Sequence, residues 1–202
     1  MGRLLPIEDE NTAGVKLTVL KITARDAEGQ ASDWLASDVV RVDAGQETVL
    51  EDTATVDFRN DFLNPLIDPS PMNDVVVTRY RVEYVRPDGR NRPGVDVPRP
   101  FDDVTNIHVL VNGTGSGAIV VVRAVAKLED PLFRLRFGGG EREILAFAHI
   151  TFFGHDLFGR DVATNAQLKI EFANWADRQT GPCPSPKVPG KYRVGRDTRR
   201  EP

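Results

Sequence analysis

"VATNAQLKIEF", residues 162–172, decides the fold class. Val162, Thr164, Ala166, Leu168, Ile170 and Phe172 fall on alternate positions, and Ala163, Asn165, Gln167, Lys169 and Glu171 fall between them. Side chains two apart diverge on a helix but share a face on a strand, so this segregation predicts a half-buried β-strand.

Just upstream stands "HITFFGHDLFGRD", residues 149–161, with two of the three histidines and two aspartates. If 144–155 is a strand, His149 and His155 lie about 20 Å apart at ~3.3 Å per residue. Two zinc ligands must both lie about 2 Å from the metal, so they cannot share one ion. "LFGR" between Asp156 and Asp161 is a turn sequence, and the two flanking runs are expected to pair as a hairpin. The metal reading that survives is a weak one, calcium at Asp156 and Asp161, and two carboxylates fall short of the six to eight oxygens calcium takes.

The same alternation recurs outward from the hairpin. In 75–85, Val76, Thr78, Tyr80, Val82 and Tyr84 oppose Val77, Arg79, Arg81 and Glu83. In 105–111, Ile107, Val109 and Val111 oppose His108. In 118–128, Val120, Val122, Ala124, Ala126 and Leu128 share a face. In 48–58, Ala54, Val56 and Phe58 do so. Residues 15–25 and 37–43 alternate more weakly. Between these runs lie Gly, Pro, Asp and Asn clusters, including "VNGTGSG" at 111–117, read as a hairpin loop. Helix is expected only as one or two turns in "PLFRLRF", with Asp130 as N-cap and Pro131 at the first helical position, and as a single turn in "SDWLAS" at 32–37.

Short strands joined by turns predict an all-β, antiparallel sandwich of about eight strands, with immunoglobulin-like topology favoured. The expected organisation is an N-terminal extension over 1–14, one domain over 15–177 and a disordered tail over 178–202. Two small sandwiches dividing near 60–74 are the alternative. The tail carries seven Lys/Arg and two acids, rich in Pro and Gly, while the whole chain carries a net charge of −4. An acidic body offers no general attraction to nucleic acid.

No apolar run approaches the ~20 residues of a membrane-spanning helix. "MGRLLPIEDE" lacks the apolar core of a secretory leader. Cys183 is the single cysteine, so no internal disulfide can form. No "GxSxG" elbow or phosphate-binding glycine loop ending in Lys-Ser/Thr is present. Catalytic residues and cofactors are therefore expected to be none. Asp102 and Asp103 in "RPFDDV" are read as a solvated loop, and Trp34 and Trp175 as the aromatics on which a sugar could stack.

"TRYRVEYVRPDGRNRPGVDVPRPFD", "RAVAKLEDPL" and "ITFFGHDLFGRDVATNAQLKIEF" together resemble uncharacterised bacterial envelope proteins, many of them lipoprotein-like, with an immunoglobulin-like or fibronectin-like sandwich. The resemblance spans roughly 15–177 and implies a scaffold, with no activity or site residues to carry over. The expected function is a non-enzymatic structural or protein-binding module that presents loops from a rigid frame. Its partner would be a protein or another component of the cell envelope, and its site the envelope, the exterior or the cytoplasm. A carbohydrate- or calcium-binding domain and an assembly subunit are the alternatives. The contact residues expected are Leu66 and Ile67 in the loop 59–74, and Arg90 and Arg92 in the loop 86–103.

Overall fold

A computed structural model describes residues 14–25, 30–43, 45–137 and 141–175. The terminal segments expected as extension and tail, apart from Gly14, lie outside these residues, as does Cys183. Among the described residues there are eleven strands: β1 (Val15–Arg25), β2 (Ala31–Ser32), β3 (Trp34–Asp38), β4 (Arg41–Asp43), β5 (Gln46–Thr48), β6 (Asp52–Phe62), β7 (Val75–Val85), β8 (Phe101–Val109), β9 (Gly113–Val122), β10 (Glu143–Asp156) and β11 (Asp161–Ala173). Eight of them have five or more residues. Two single helical turns, α1 (Ala124–Lys127) and α2 (Leu132–Leu135), follow β9. The fold is mostly β.

Two principal sheets form, in the orders β2-β1-β6-β9 and β3-β11-β10-β7-β8, and β4 and β5 make a separate ribbon. The hairpin expected at 149–161 pairs along its whole length, from Glu143 opposite Ala173 to His155 opposite Asp161. Both sheets take strands from before residue 60 and after residue 74. Every pairing of named strands is antiparallel except one: β3 lies parallel to β11, with Trp34 opposite Lys169. Residues 34–38 are thus strand where a helical turn was expected.

The inner faces of the two sheets share one apolar core. Phe58 of β6 meets Phe152 of β10 edge to face, with ring centroids 4.9 Å apart. Two tyrosines of β7 reach across to β9: the Tyr84 hydroxyl donates to the Val121 carbonyl at 2.7 Å, and the Tyr80 hydroxyl accepts from the Val120 amide at 2.9 Å. Burying a tyrosine requires a partner for its hydroxyl, and here the partner is the facing sheet's backbone.

Several expected faces shift by one residue. In β7, Val75 and Val77 are buried and then Tyr80, Val82 and Tyr84, because the register with β8 slips between Val77 and Arg79. In β1, Val15 and Leu17 are buried and then Ile22 and Ala24, with Leu20 exposed where the register with β6 slips between Val19 and Lys21. A β-bulge inserts one unpaired residue and flips the face of everything after it. The weak alternation of 15–25 is this change of phase.

Three further expectations are corrected. Strand 118–128 stops at Val122, its buried face is Ile119 and Val121 joined by Val122, and Ala124–Lys127 turn into α1. "VNGTGSG" is not a loop beyond Asn112, since Gly113 to Ser116 are already strand in β9, paired with β6. A Cβ at Gly115 would sit 2.4 Å from the His108 carbonyl, and one at Gly117 2.5 Å from Ile107. These glycines let β8 close over β9. Finally, Asp102 and Asp103 belong to β8, not to a loop, and Asp130 does not cap α2. Pro131 holds the cap position, and the Asp130 carboxylate instead bonds Arg134 at 2.6 Å.

Candidate functional site: an apolar loop cluster on a locked base

The start of β7, the end of β8 and the β10–β11 turn meet at one end of the sheets. Asp74, which immediately precedes β7, ties them together. One carboxylate oxygen accepts the Val111 amide at 2.8 Å, and the other meets His108 Nε2 at 3.1 Å. Its backbone carbonyl accepts the Leu157 amide at 3.1 Å. The Asn60 side-chain amide, fully buried in β6, donates to the carbonyls of Asn73 at 2.9 Å and Val109 at 3.4 Å. Asn112 sits in the left-handed region, φ 53°, and its side chain accepts the Phe62 amide. Asn tolerates that conformation better than other non-glycine residues.

The long loop 63–74 closes on its own 3₁₀ turn, Pro71–Asn73. Ser70 accepts the Met72 amide and Asn73 accepts the Ser70 amide, a reciprocal cap. In the β10–β11 turn, the Asp156 carboxylate is fully buried. It accepts the amides of Phe158 and Arg160 on one oxygen and the Arg160 guanidinium, at 2.6 and 2.8 Å, on the other. Those four donors fill the Asp156 carboxylate. Asp161 stands in register with His155, and His149 faces Gln167 across the hairpin. Among the described residues, no group of three or more His, Cys, Asp or Glu converges as metal ligands would.

Above this polar base the loops carry apolar side chains into solvent. Leu66 is 90% exposed and Ile67 59%. Leu63 and Met72 of the same loop, Leu110 after β8, and Leu157 and Phe158 of the hairpin turn are also exposed. Each stands within a few residues of a base contact, so the loops share one end of the frame. Exposed apolar side chains gathered at one end of a frame are candidates for an interaction site.

Arg90 and Arg92 lie elsewhere. β7 separates the loop 63–74 from the loop 86–100 by its eleven residues, roughly 35 Å at ~3.3 Å each. In that second loop Arg86 is buried and bonds Asp88 at 2.7 Å and Glu141 at 2.8 Å. Arg90 bonds the same Asp88 and Glu141, and Arg92 bonds Asp96 at 2.7 Å. Hydrogen bonds from the Arg86 and Arg90 side chains hold the Glu141 carboxyl below its ordinary range. The Arg90 amide, joined by both guanidiniums, does the same for Asp88. These arginines fasten their own loop. The structure therefore does not bring the four expected contact residues together.

A second buried polar cluster lies near the start of β6. The Lys127 side chain, 1% exposed, places Nζ 2.9 Å from Asp52 Oδ2 and donates to the Asp38 carbonyl at 2.8 Å. The buried Ser37 hydroxyl donates to the same Asp52 oxygen at 2.7 Å. Burial raises the Asp52 carboxyl above its ordinary range, against the pull of Lys127. Trp34 has the Lys169 ammonium 5.4 Å from its ring centre, and the Trp175 amide donates to Asp38.

Leu66 and Ile67 are singled out from the sequence as expected contacts; Asp74, Asn60 and Lys127 are not. An Asp or Asn directly before an apolar run is a turn-capping signal, and "MND" before "VVV" carries it. No such signal exists for Lys127, whose burial depends on α1 replacing the expected strand.

No protein-family model matches the chain, and no curated protein matches it. Among solved structures the chain overlays the X-ray structure of Northeast Structural Genomics Consortium target SoR45. The sequence identity is 7%, the cover 93% of this chain and 97% of that one, and the TM-score 0.32. An overlay that loose carries no argument. No helix among the described residues is long and apolar enough to cross a membrane.

Proposed function

We propose that this protein is a non-enzymatic binding module of the bacterial envelope, whose partner seats on the loop cluster of Leu63, Leu66, Ile67, Leu110, Leu157 and Phe158. The observation that carries the reading is the pairing of exposed apolar tips with a buried, hydrogen-bonded base. A loop with 90% of Leu66 in water gains nothing for the fold from that side chain. Its base, held by Asp74, Asn60 and Asp156, keeps the tips in place before contact. Pre-ordering reduces the entropy lost on binding.

The strand order supports an immunoglobulin-like reading of the frame. Lettered along the chain, β1, β6 and β9 give a sheet A-B-E, and β8, β7, β10 and β11 give C′-C-F-G. On that lettering Leu63, Leu66 and Ile67 lie in the B–C loop and Leu157 and Phe158 in the F–G loop, at the end that variable domains use for recognition, while Leu110 lies in the C′–E connection.

The test is a photo-crosslinking residue at position 66, with one at Val104 as comparison. Val104 is 81% exposed but lies on β8, away from the tips. The reading expects a discrete adduct from position 66 in cells, competed away by the unlabelled protein and not by its Leu66→Ser/Ile67→Ser variant. Equal adducts from both positions, or equal competition by both proteins, contradict it.

A further inference from the structure

The cluster of Lys127, Asp52, Ser37 and the Asp38 carbonyl has no part in the loop site. It joins three separate pieces of chain: the end of β3, the start of β6 and α1. An amine and a carboxyl group 2.9 Å apart, with the amine sealed from solvent, are reactants as well as an ion pair. Burial disfavours a charged carboxylate, so it favours the neutral acid with which an amine can condense. The raised Asp52 carboxyl is in keeping with this. The 2.9 Å contact is from Nζ to Oδ2, one bond from the Cγ that the amine would attack, and holding two reactive groups together in this way can raise effective molarity to about 10⁵–10⁸ M.

We propose that Lys127 and Asp52 condense to an intramolecular amide, a self-made cross-link between α1 and the start of β6. The proton passes from Lys127 Nζ to the Asp52 carboxylate. The freed nitrogen lone pair attacks Asp52 Cγ, the C–N bond forms, and the Cγ–O bond breaks. The leaving oxygen takes the proton it received and a second from nitrogen, and departs as water. No oxidant, reductant or co-reactant enters the balance.

The neighbours suit each stage. The Asp38 carbonyl accepts a hydrogen bond from Nζ and holds the amine at the carboxyl group. The Ser37 hydroxyl donates to Asp52 Oδ2 and polarises the oxygen that leaves. Asp52 is partly open, with 17% of its side chain exposed, which gives the released water a way out. With one cysteine the chain can form no internal disulfide, and this amide would be a covalent cross-link of another kind.

The test is the intact mass of the purified full chain, followed by fragmentation of its proteolytic peptides. The proposal expects a mass lower than the sequence mass by one water, and a branched peptide that joins Asp52 to Lys127. It also expects Lys127→Met and Asp52→Ala each to show its full sequence mass. A wild-type chain at full sequence mass, with Lys127 and Asp52 recovered in separate linear peptides, overturns it. The wild-type measurement decides the matter even if neither variant folds.

Discussion

Gly115 of β9 lies directly against the His108 carbonyl of β8, so close that a Cβ would stand 2.4 Å from that oxygen. The contact joins the edges of two sheets. Because the obstacle is backbone, it cannot swing aside as a side-chain tip could. Gly115→Ala is expected to lower the unfolding free energy by about 1–3 kcal/mol, the range for overpacking. Ser116→Ala, on the exposed face next door, is expected to stay within about 0.5 kcal/mol of the parent. Urea denaturation of both variants checks this, and equal midpoints would refute the close approach.

Asp156 governs the β10–β11 turn. Its removal leaves the Phe158 and Arg160 amides without an acceptor, while the half-exposed Arg160 can regain water. Asp156→Ala is therefore expected to cost about 1–3 kcal/mol, the range for unsatisfied buried groups. Because the four donors already fill this carboxylate, calcium is expected to leave the melting temperature of the parent unchanged, with or without EDTA. A calcium-dependent rise would contradict that account of the turn.

The cluster of Arg86, Arg90, Asp88 and Glu141 sets a pH dependence. Hydrogen bonds from the arginines hold both carboxyls lower in the folded chain than in the unfolded one. A lowered acid contributes stability that is complete above the unfolded carboxylate range, about pH 4, and is lost as pH falls toward the folded values. The acids are substantially exposed, so solvent screens the effect and keeps it modest. Asp88→Asn/Glu141→Gln is expected to flatten the acid-side fall in the denaturation midpoint. An unchanged slope between pH 5 and pH 3, about the range in which free carboxylates titrate, would show that the cluster does not contribute.

Much of the frame was legible in the alternation. β10 and β11 follow it without interruption, and their hairpin falls where "LFGR" places it. The buried face of β6, with Ala54, Val56 and Phe58, is the one the spacing predicts. What the pattern could not carry was phase. The bulges in β1 and β7 each move the buried set by one position, and a bulge depends on the partner strand. The glycines of β9 look like loop residues because their purpose, making room for β8, exists only once both strands are in place. β3 was missed because its partner, β11, lies more than a hundred residues away. Of the candidate site, Leu66 and Ile67 stood out as apolar residues in a long loop, but their spacing did not decide between exposed contact and buried cover. The base could not be read, because Asn60 and Asp74 acquire meaning only from carbonyls and amides on other strands.

The most direct measurement is the stability of the Leu66→Ser/Ile67→Ser variant beside its ability to compete in the crosslinking assay. If the two side chains are a contact surface, the denaturation midpoint stays within about 0.5 kcal/mol of the parent while competition is lost. If they cover the end of the sheets instead, the variant loses about 2 kcal/mol or more, in the manner of a core truncation, and the account of the loop cluster as a binding face is wrong.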